Sequence, residues 1–355
     1  MTNWVFWVPM FLLLGAPTAM LMLDRIQGLP APKFLRTQGI PALGLFTLLA
    51  TYLAVVGDSL FDLVLWGLVG GLVATVALDA VRLVGVRLGA FPMDMPTMFG
   101  LISLGLAPAF QRNILANMVA RVADMPEDQR KQFMVERIHF MGAAPERTRR
   151  MMLSGMSEGL SRLPEEKRMI MRRIQMEILA SSPGRVRRNI MATMDALSSG
   201  SPSSGPKEDR AARGLKMPQI PMSVFRSLEG KARPQTIEES SSSLAKVLTA
   251  GYLWHFVNGA TYGIAYTFIF GQGSWALAIL WGVFIWVVMM ASMPKMMPMI
   301  KFPFPKFMLV PLIAHIAMAV PIGFFALAFV SPEAHLGGFV AGTGIDGLLR
   351  FLHLL

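Results

Sequence analysis

Two histidines sit where chemistry would be costly to place by accident. His255 lies nine residues beyond Lys246, and His315 lies nine beyond Lys306, each inside a long apolar stretch. At 1.5 Å per helical residue, both rings fall ~13 Å past the lysine that marks the edge of the stretch. Their surroundings rhyme: "HFVNGATYGIAY" and "HIAMAVPIGFFA" each place a glycine eight residues after the histidine. Asp79 closes a third apolar stretch and can reach the same layer. Ionisable groups at that depth are expensive and mark pathways, relays or cofactor sites. Paired imidazoles can ligate haem or a metal, or pass protons. The plainer alternative is a pair of histidines that hydrogen-bond internally and bridge helices.

Methionines form the second constellation. Met293, Met296, Met297 and Met299 fall in "MMASMPKMMPM", and "PMDMPTM" (92–98) is similar. Thioether sulfurs suit Cu(I). Yet methionine is common along the whole chain, and both stretches are also helix ends broken by proline. The expectation is therefore no cofactor, with haem or copper as the alternatives. There is no cysteine, which excludes disulfides, thiolate metal sites and cysteine nucleophiles. No phosphate-cradling glycine loop, HExxH or GxSxG stretch occurs, so no enzyme class is indicated. His139, the one histidine of the central region, has no evident partner.

The elements that must hold these residues are read from hydropathy. Of 355 residues, 54% are hydrophobic and 15% charged, too apolar for an ordinary soluble domain. Six stretches have the ~20 apolar residues a crossing needs: Trp4–Met22, Gly39–Gly57, Phe61–Val84, Val247–Phe270, Trp275–Met293 and Phe307–Val330. The Gly-rich tail from His335 carries Asp346 and Arg350. It reads as an interfacial or re-entrant piece, with a seventh span as the alternative. Arg25, Lys33 and Arg36, then Arg82 and Arg87, then Lys295, Lys301 and Lys306 mark one side; Asp58 and Glu333 mark the other. Positive loops stay in the cytoplasm. The N-terminus is then outside and the central region inside, in a prokaryotic-type inner membrane. Gly67-x3-Gly71, Gly70-x3-Ala74 and Gly259-x3-Gly263 mark close helix crossings, within one chain or, as the lesser use, in a homo-oligomer.

Between the apolar blocks the chain repeats itself. Prolines at 108, 126, 145, 164 and 183 are each followed four residues later by an arginine: Arg112, Arg130, Arg149, Arg168 and Arg187. An apolar side chain follows at the seventh position each time. A period of this size predicts an array of five short helices. Proline suits the first helical position, and Glu127, Asp128, Glu146, Glu165 and Glu166 suit the first turn. The short connections predict successive helices folded back on one another. From Phe110 to Val247 there are 24 Lys/Arg against 15 Asp/Glu. The methionines of the array are either core or an adaptable docking surface. The arginines either pair with acidic residues of neighbouring units or face acidic lipid or protein.

The expected fold is thus all-α: a polytopic membrane protein of six spans, with an inserted cytoplasmic array at a 19-residue repeat. Its segments are 1–58 (two spans), 59–107 (third span and connection), 108–198 (array), 199–246 (Ser/Pro/Gly-rich linker or arm) and 247–355 (C-terminal membrane domain). The stretches "GLVGGLVATVALDAVRL", "WHFVNGATYGIAYTFIFG" and "LWGVFIWVVMMASMPKM" resemble small four-helix inner-membrane proteins of the YagU kind. That resemblance implies a core unit built from the third to sixth spans, with the array inserted into it. It carries over no functional residue.

Two functions compete. One is a non-catalytic accessory or scaffold subunit of a larger membrane complex, docking other subunits through the basic, Met-rich array and touching anionic lipid. Nucleic acid is not an expected partner. The other is a transporter or redox subunit that works through Asp79, His255 and His315.

Overall fold

Long apolar runs without interior charges can only satisfy their backbone internally, and in this chain they do so as helices. The computed structural model describes residues 30–88, 90, 95–199, 220–296, 300–301 and 306–334. Their regular structure is helical apart from a two-residue parallel pairing, in which Ile220 and Pro221 (β1) meet Ile300 and Lys301 (β2). By Cα packing they fall into two compact units. The first takes the described residues up to Gly105, those of Ala245–Met297, and those from Phe302 on. The second takes Leu106–Leu244 and Pro298–Lys301.

Among the described residues, three helices are long and apolar enough to cross a membrane: α1 (Ala31–Val56), α2 (Leu60–Arg87) and the Phe307–Phe329 stretch of α12 (Lys306–Phe329). Two further expected spans differ in detail. The helix α10 (Leu244–Phe270) has ample length, but His255, Asn258 and its many glycine, threonine and tyrosine residues dilute its hydropathy. In α11 (Trp275–Met296) the apolar part, Trp275–Ala291, belongs to a shorter class. The expected span at Trp4–Met22 and the tail from His335 lie outside the described residues. Lys33 and Arg36, expected in a loop, lie inside α1, whose first turns begin at Pro30 and include a π-helical stretch from Leu35 to Gly39.

The first unit is built on α2, which is sandwiched by its small residues. A methyl group at Gly71 would collide with the backbone of Gly259 and Ala260, and one at Gly263 with the carbonyl of Gly67. The expected glycine spacings of α2 and α10 therefore meet each other. Gly70, one residue round the helix, faces Pro321, Ile322 and Phe325 of α12 instead. Thr267 Oγ1 donates to the Leu63 carbonyl at 2.7 Å, a side-chain bond between the two helices. Trp66 stacks on Phe329 at 4.5 Å between centroids. The short helix α3 (Met95–Ser103) packs on α10 through Gly100 against Val247 and Gly251 against Pro96. Leu48, Val55, Val76, Leu280 and Leu309 point outward, between 55% and 81% exposed. Apolar surface on that scale needs an apolar surrounding.

In the second unit, α4 (Ala107–Ala123), α5 (Glu127–Ala143), α6 (Glu146–Ser161), α7 (Glu165–Ser181) and α8 (Gly184–Ser198) follow in order, and then α9 (Met222–Glu239). Pro126, Pro145, Pro164 and Pro183 each stand one residue before their helix, in extended backbone near φ −53 and ψ 147 (Pro126), so they cap rather than begin it. Successive helices are not the main partners, contrary to the expectation from loop length. Packing is densest between α4 and α6, and α5 packs on α8 and α7 more than on α4. Glycine decides this. Gly155 and Gly159 let α6 lie directly on Leu115, Ala116 and Val119 of α4, and Gly142 lets α5 lie on Val186 of α8.

Candidate functional site

Asp79 and His255 do come together. The Gly71–Gly259 crossing draws α2 and α10 close. Two turns further along α2 and one along α10, Asp79 faces His255 across the same seam, and His255 Nε2–H donates to Asp79 Oδ1 at 3.1 Å. The same oxygen accepts from Arg82 Nε at 2.6 Å. Arg82 is 2% exposed, Asp79 14% and His255 11%. Arg82 stands near the C-terminal end of α2, and its buried guanidinium pairs with Asp79 on the same helix. The ring of Phe99 lies 6.0 Å from that of His255.

With Asp79 on Nε2, Nδ1 is the remaining nitrogen of His255. A carboxylate behind an imidazole is the arrangement that orients metal-binding and proton-passing histidines. It is also how a buried arginine–carboxylate–histidine network satisfies itself.

His315 is held differently. Its Nδ1–H donates to the carbonyl of Pro311 on its own helix at 2.7 Å, and it is 7% exposed. The backbone behind it packs on Gly282 of α11. Among the described residues, Asp79 and His255 form a bonded pair and His315 bonds within α12. No group of three or more His, Cys, Asp or Glu side chains that could hold a metal ion occurs among them. Met297 and Met299 lie outside the described residues. Met293 and Met296 belong to the last turn of α11, and their side chains lie outside them too.

Four of the five arginines of the repeat share a local task. The backbone N–H of each of Arg130, Arg149, Arg168 and Arg187 bonds the carbonyl of its own proline, at 2.9 to 3.1 Å, closing the first helical turn. The side chain then turns back. Arg130 Nη2 donates to the Met125 carbonyl at 2.7 Å, and Arg149 Nη1 to the Ala144 carbonyl at 2.7 Å. Arg187 Nη1 reaches the Ala180 carbonyl at 3.4 Å. The Ala144 and Ala180 carbonyls belong to the end of the preceding helix, where no intrahelical donor is left, and Met125 lies in the connection after one. Arg149 also donates to Thr193 Oγ1 at 2.6 Å. Arg112 pairs with Glu158 at 2.8 Å and Glu239 at 3.2 Å, and Arg168 pairs with Glu165. Arg187 alone of the five is classed as exposed.

The methionines divide. Met118, Met134, Met141, Met152 and Met171 are core, none more than 6% exposed. Met169 and Met176 on α7 are 62% and 60% exposed, and Met191 and Met194 on α8 are 40% and 39%. Arg172, Arg173, Arg185 and Arg188 are exposed on the same two helices. One buried cation escaped the sequence reading. Arg137 lies four residues after Phe133 and three after Met134, on the apolar face of α5. That spacing alone was enough to mark it. No family model, curated protein or solved structure matches the chain.

Proposed function

We propose that the chain is a non-catalytic integral-membrane subunit that docks partners of a larger membrane assembly through α7 and α8 of its second unit. One observation carries this reading. Four methionines stand exposed on two neighbouring helices among exposed arginines. Methionine is an adaptable contact residue, and arginine is enriched at interface centres. A solitary soluble surface has little use for such side chains. The membrane part comprises six spans with the N-terminus outside, α10 and α11 included. Burial of the polar face of α10 against α2 supports counting it, since its glycines, Thr267 and His255 are satisfied inside the helix pair. Anionic lipid at the cytoplasmic face complements the basic second unit.

The experiment is affinity capture of the tagged full-length protein from its native membrane in mild detergent, with co-purifying chains quantified by mass spectrometry. Stoichiometric partners that are lost in Met169→Glu/Met176→Glu support the reading. A partner-free monomer that transports a solute by itself overturns it.

A second reading rests on the Asp79–His255 pair: a proton-linked transporter or a redox subunit. It requires that His255→Gln abolish transport or cofactor absorbance while leaving assembly intact.

A further inference from the structure

The proline repeat supplies its own control for α7. Five residues after the proline, four units carry a polar side chain: Asn113, Lys131, Arg150 and Arg188. At that position α7 carries Met169, 62% exposed. Eight residues after the proline the same four units are apolar: Ala116, Met134, Leu153 and Met191. There α7 carries Arg172, exposed beside Arg173. The exchange is reciprocal, and the packing of α7 does not require it. Met171, Ile174 and Ile178 already face the core, none more than 7% exposed.

An outward stripe results. Met169 and Met176 lie one heptad apart, ~10.5 Å along the axis, with Arg172 and Arg173 between them. Neither guanidinium makes a hydrogen bond or ion pair among the described residues. Glu127 of α5 is the carboxylate that feels Arg173, and it already holds Lys131 at 2.8 Å.

Resting on the docking role of α7 and α8, we propose that the partner meets α7 with an acidic amphipathic helix: two apolar side chains one heptad apart, and carboxylates between them. Each part of the stripe selects its counterpart. Apolar residues a heptad apart on a partner helix match the spacing of the two methionines, which adapt to the side chains they meet. Carboxylates between them give the two guanidinium forks the acceptors they lack. The carboxylates of α7 itself argue against an anionic bilayer as the occupant of this stripe. Glu166 stands three residues before Met169 and Glu177 four after Arg173, both exposed on the same side of the helix. A bilayer presents uniform negative charge and is repelled at both ends. A helix can set its charges in register.

The test introduces Met169→p-benzoylphenylalanine into the full-length protein, irradiates native membranes and sequences the attached peptide. The expected attachment is a helix-forming segment with Asp or Glu about three or four residues from the labelled site. Charge reversal then discriminates. Arg172→Glu/Arg173→Glu should lower capture of that partner roughly tenfold or more, because like charges now meet across the interface. Replacing the partner's carboxylates with arginine should restore capture, a recovery that damage to α7 would not show. Both positions are exposed, so an unchanged melting temperature checks that the unit still folds. Attachment to a segment without carboxylates, or charge reversal without recovery, would overturn the acidic helix. The docking reading survives that result as long as Met169→Glu/Met176→Glu still loses the partner. Attachment to lipid alone would also overturn the acidic helix, and if capture survives Met169→Glu/Met176→Glu the docking reading falls with it.

Discussion

At the scale of single residues, the strongest expectation concerns Asp79. Its carboxylate is the acceptor for both Arg82 and His255. Asp79→Asn removes the carboxylate that stands 2.6 Å from the buried guanidinium of Arg82. Losing one member of a buried ion pair costs about 3–5 kcal/mol. His255→Asn removes a donor but keeps the Asp79–Arg82 pair, so the expected loss is about 1–2 kcal/mol, that of one buried hydrogen bond. Thermal unfolding in detergent should rank wild type above His255→Asn and His255→Asn above Asp79→Asn. The reverse order would mean that Arg82 finds another counter-charge. The arginine repeat makes a parallel prediction. Arg149→Met forfeits charge-assisted bonds to the Ala144 carbonyl and to Thr193. It should cost about 2 kcal/mol, whereas Arg187→Met, at the surface with one long contact, should change stability by less than about 0.5 kcal/mol. If Arg187 is instead a docking residue, its substitution shows in partner capture and not in the melting curve.

At the scale of elements, close glycine contacts set which helices touch. Gly71→Ala puts a methyl group into the backbone of Gly259 and Ala260, with no flexible side chain to give way. Overpacking of that kind costs about 1–3 kcal/mol or forces α2 and α10 apart. Gly44→Ala in α1 is the control, since a methyl group there meets nothing within 4 Å. It should be neutral or stabilising by up to about 1 kcal/mol, the helix preference of alanine over glycine. Melting curves of the two variants separate tight crossing from simple propensity. These elements also show what could be read in advance. The spacing Gly67-x3-Gly71 and its counterpart Gly259-x3-Gly263 announced a crossing, because only small residues allow backbones to approach. The proline period announced the helix starts, with Pro126 and its equivalents displaced by a single position. Partner choice in the second unit was not legible. Loop length argues for neighbours, but the space left by Gly155 and Gly159 on α6 is a three-dimensional fact. The burial of Arg82 was not legible for a related reason. Its charge near a helix end looked like a loop signal, and only the fold shows it buried and paired with Asp79.

At the scale of the whole molecule, the chain joins helices fit for a membrane to a basic helical unit, and the two call for different measurements. The first unit exposes large apolar side chains along α1, α2 and α12. The second exposes arginine and methionine on α7 and α8. If α7 and α8 dock a partner, as proposed, that surface gains affinity from apolar contact and on-rate from charge. Its two components should therefore separate under salt. Met169→Glu/Met176→Glu introduces carboxylates into the apolar contact, so partner capture should be lost at every ionic strength, through faster dissociation. Arg172→Gln/Arg173→Gln removes two surface charges and should slow association at low salt by roughly tenfold, with the difference fading as the Debye length falls to about 8 Å at physiological strength. Neither pair of positions is core, so the melting temperature should stay within a few degrees of wild type. Surface-plasmon measurements with the captured partner would read both rates. Equal rates for wild type and both variants at all salt concentrations would remove α7 and α8 from the interface. The Asp79–His255 pair would then carry the second reading of the function.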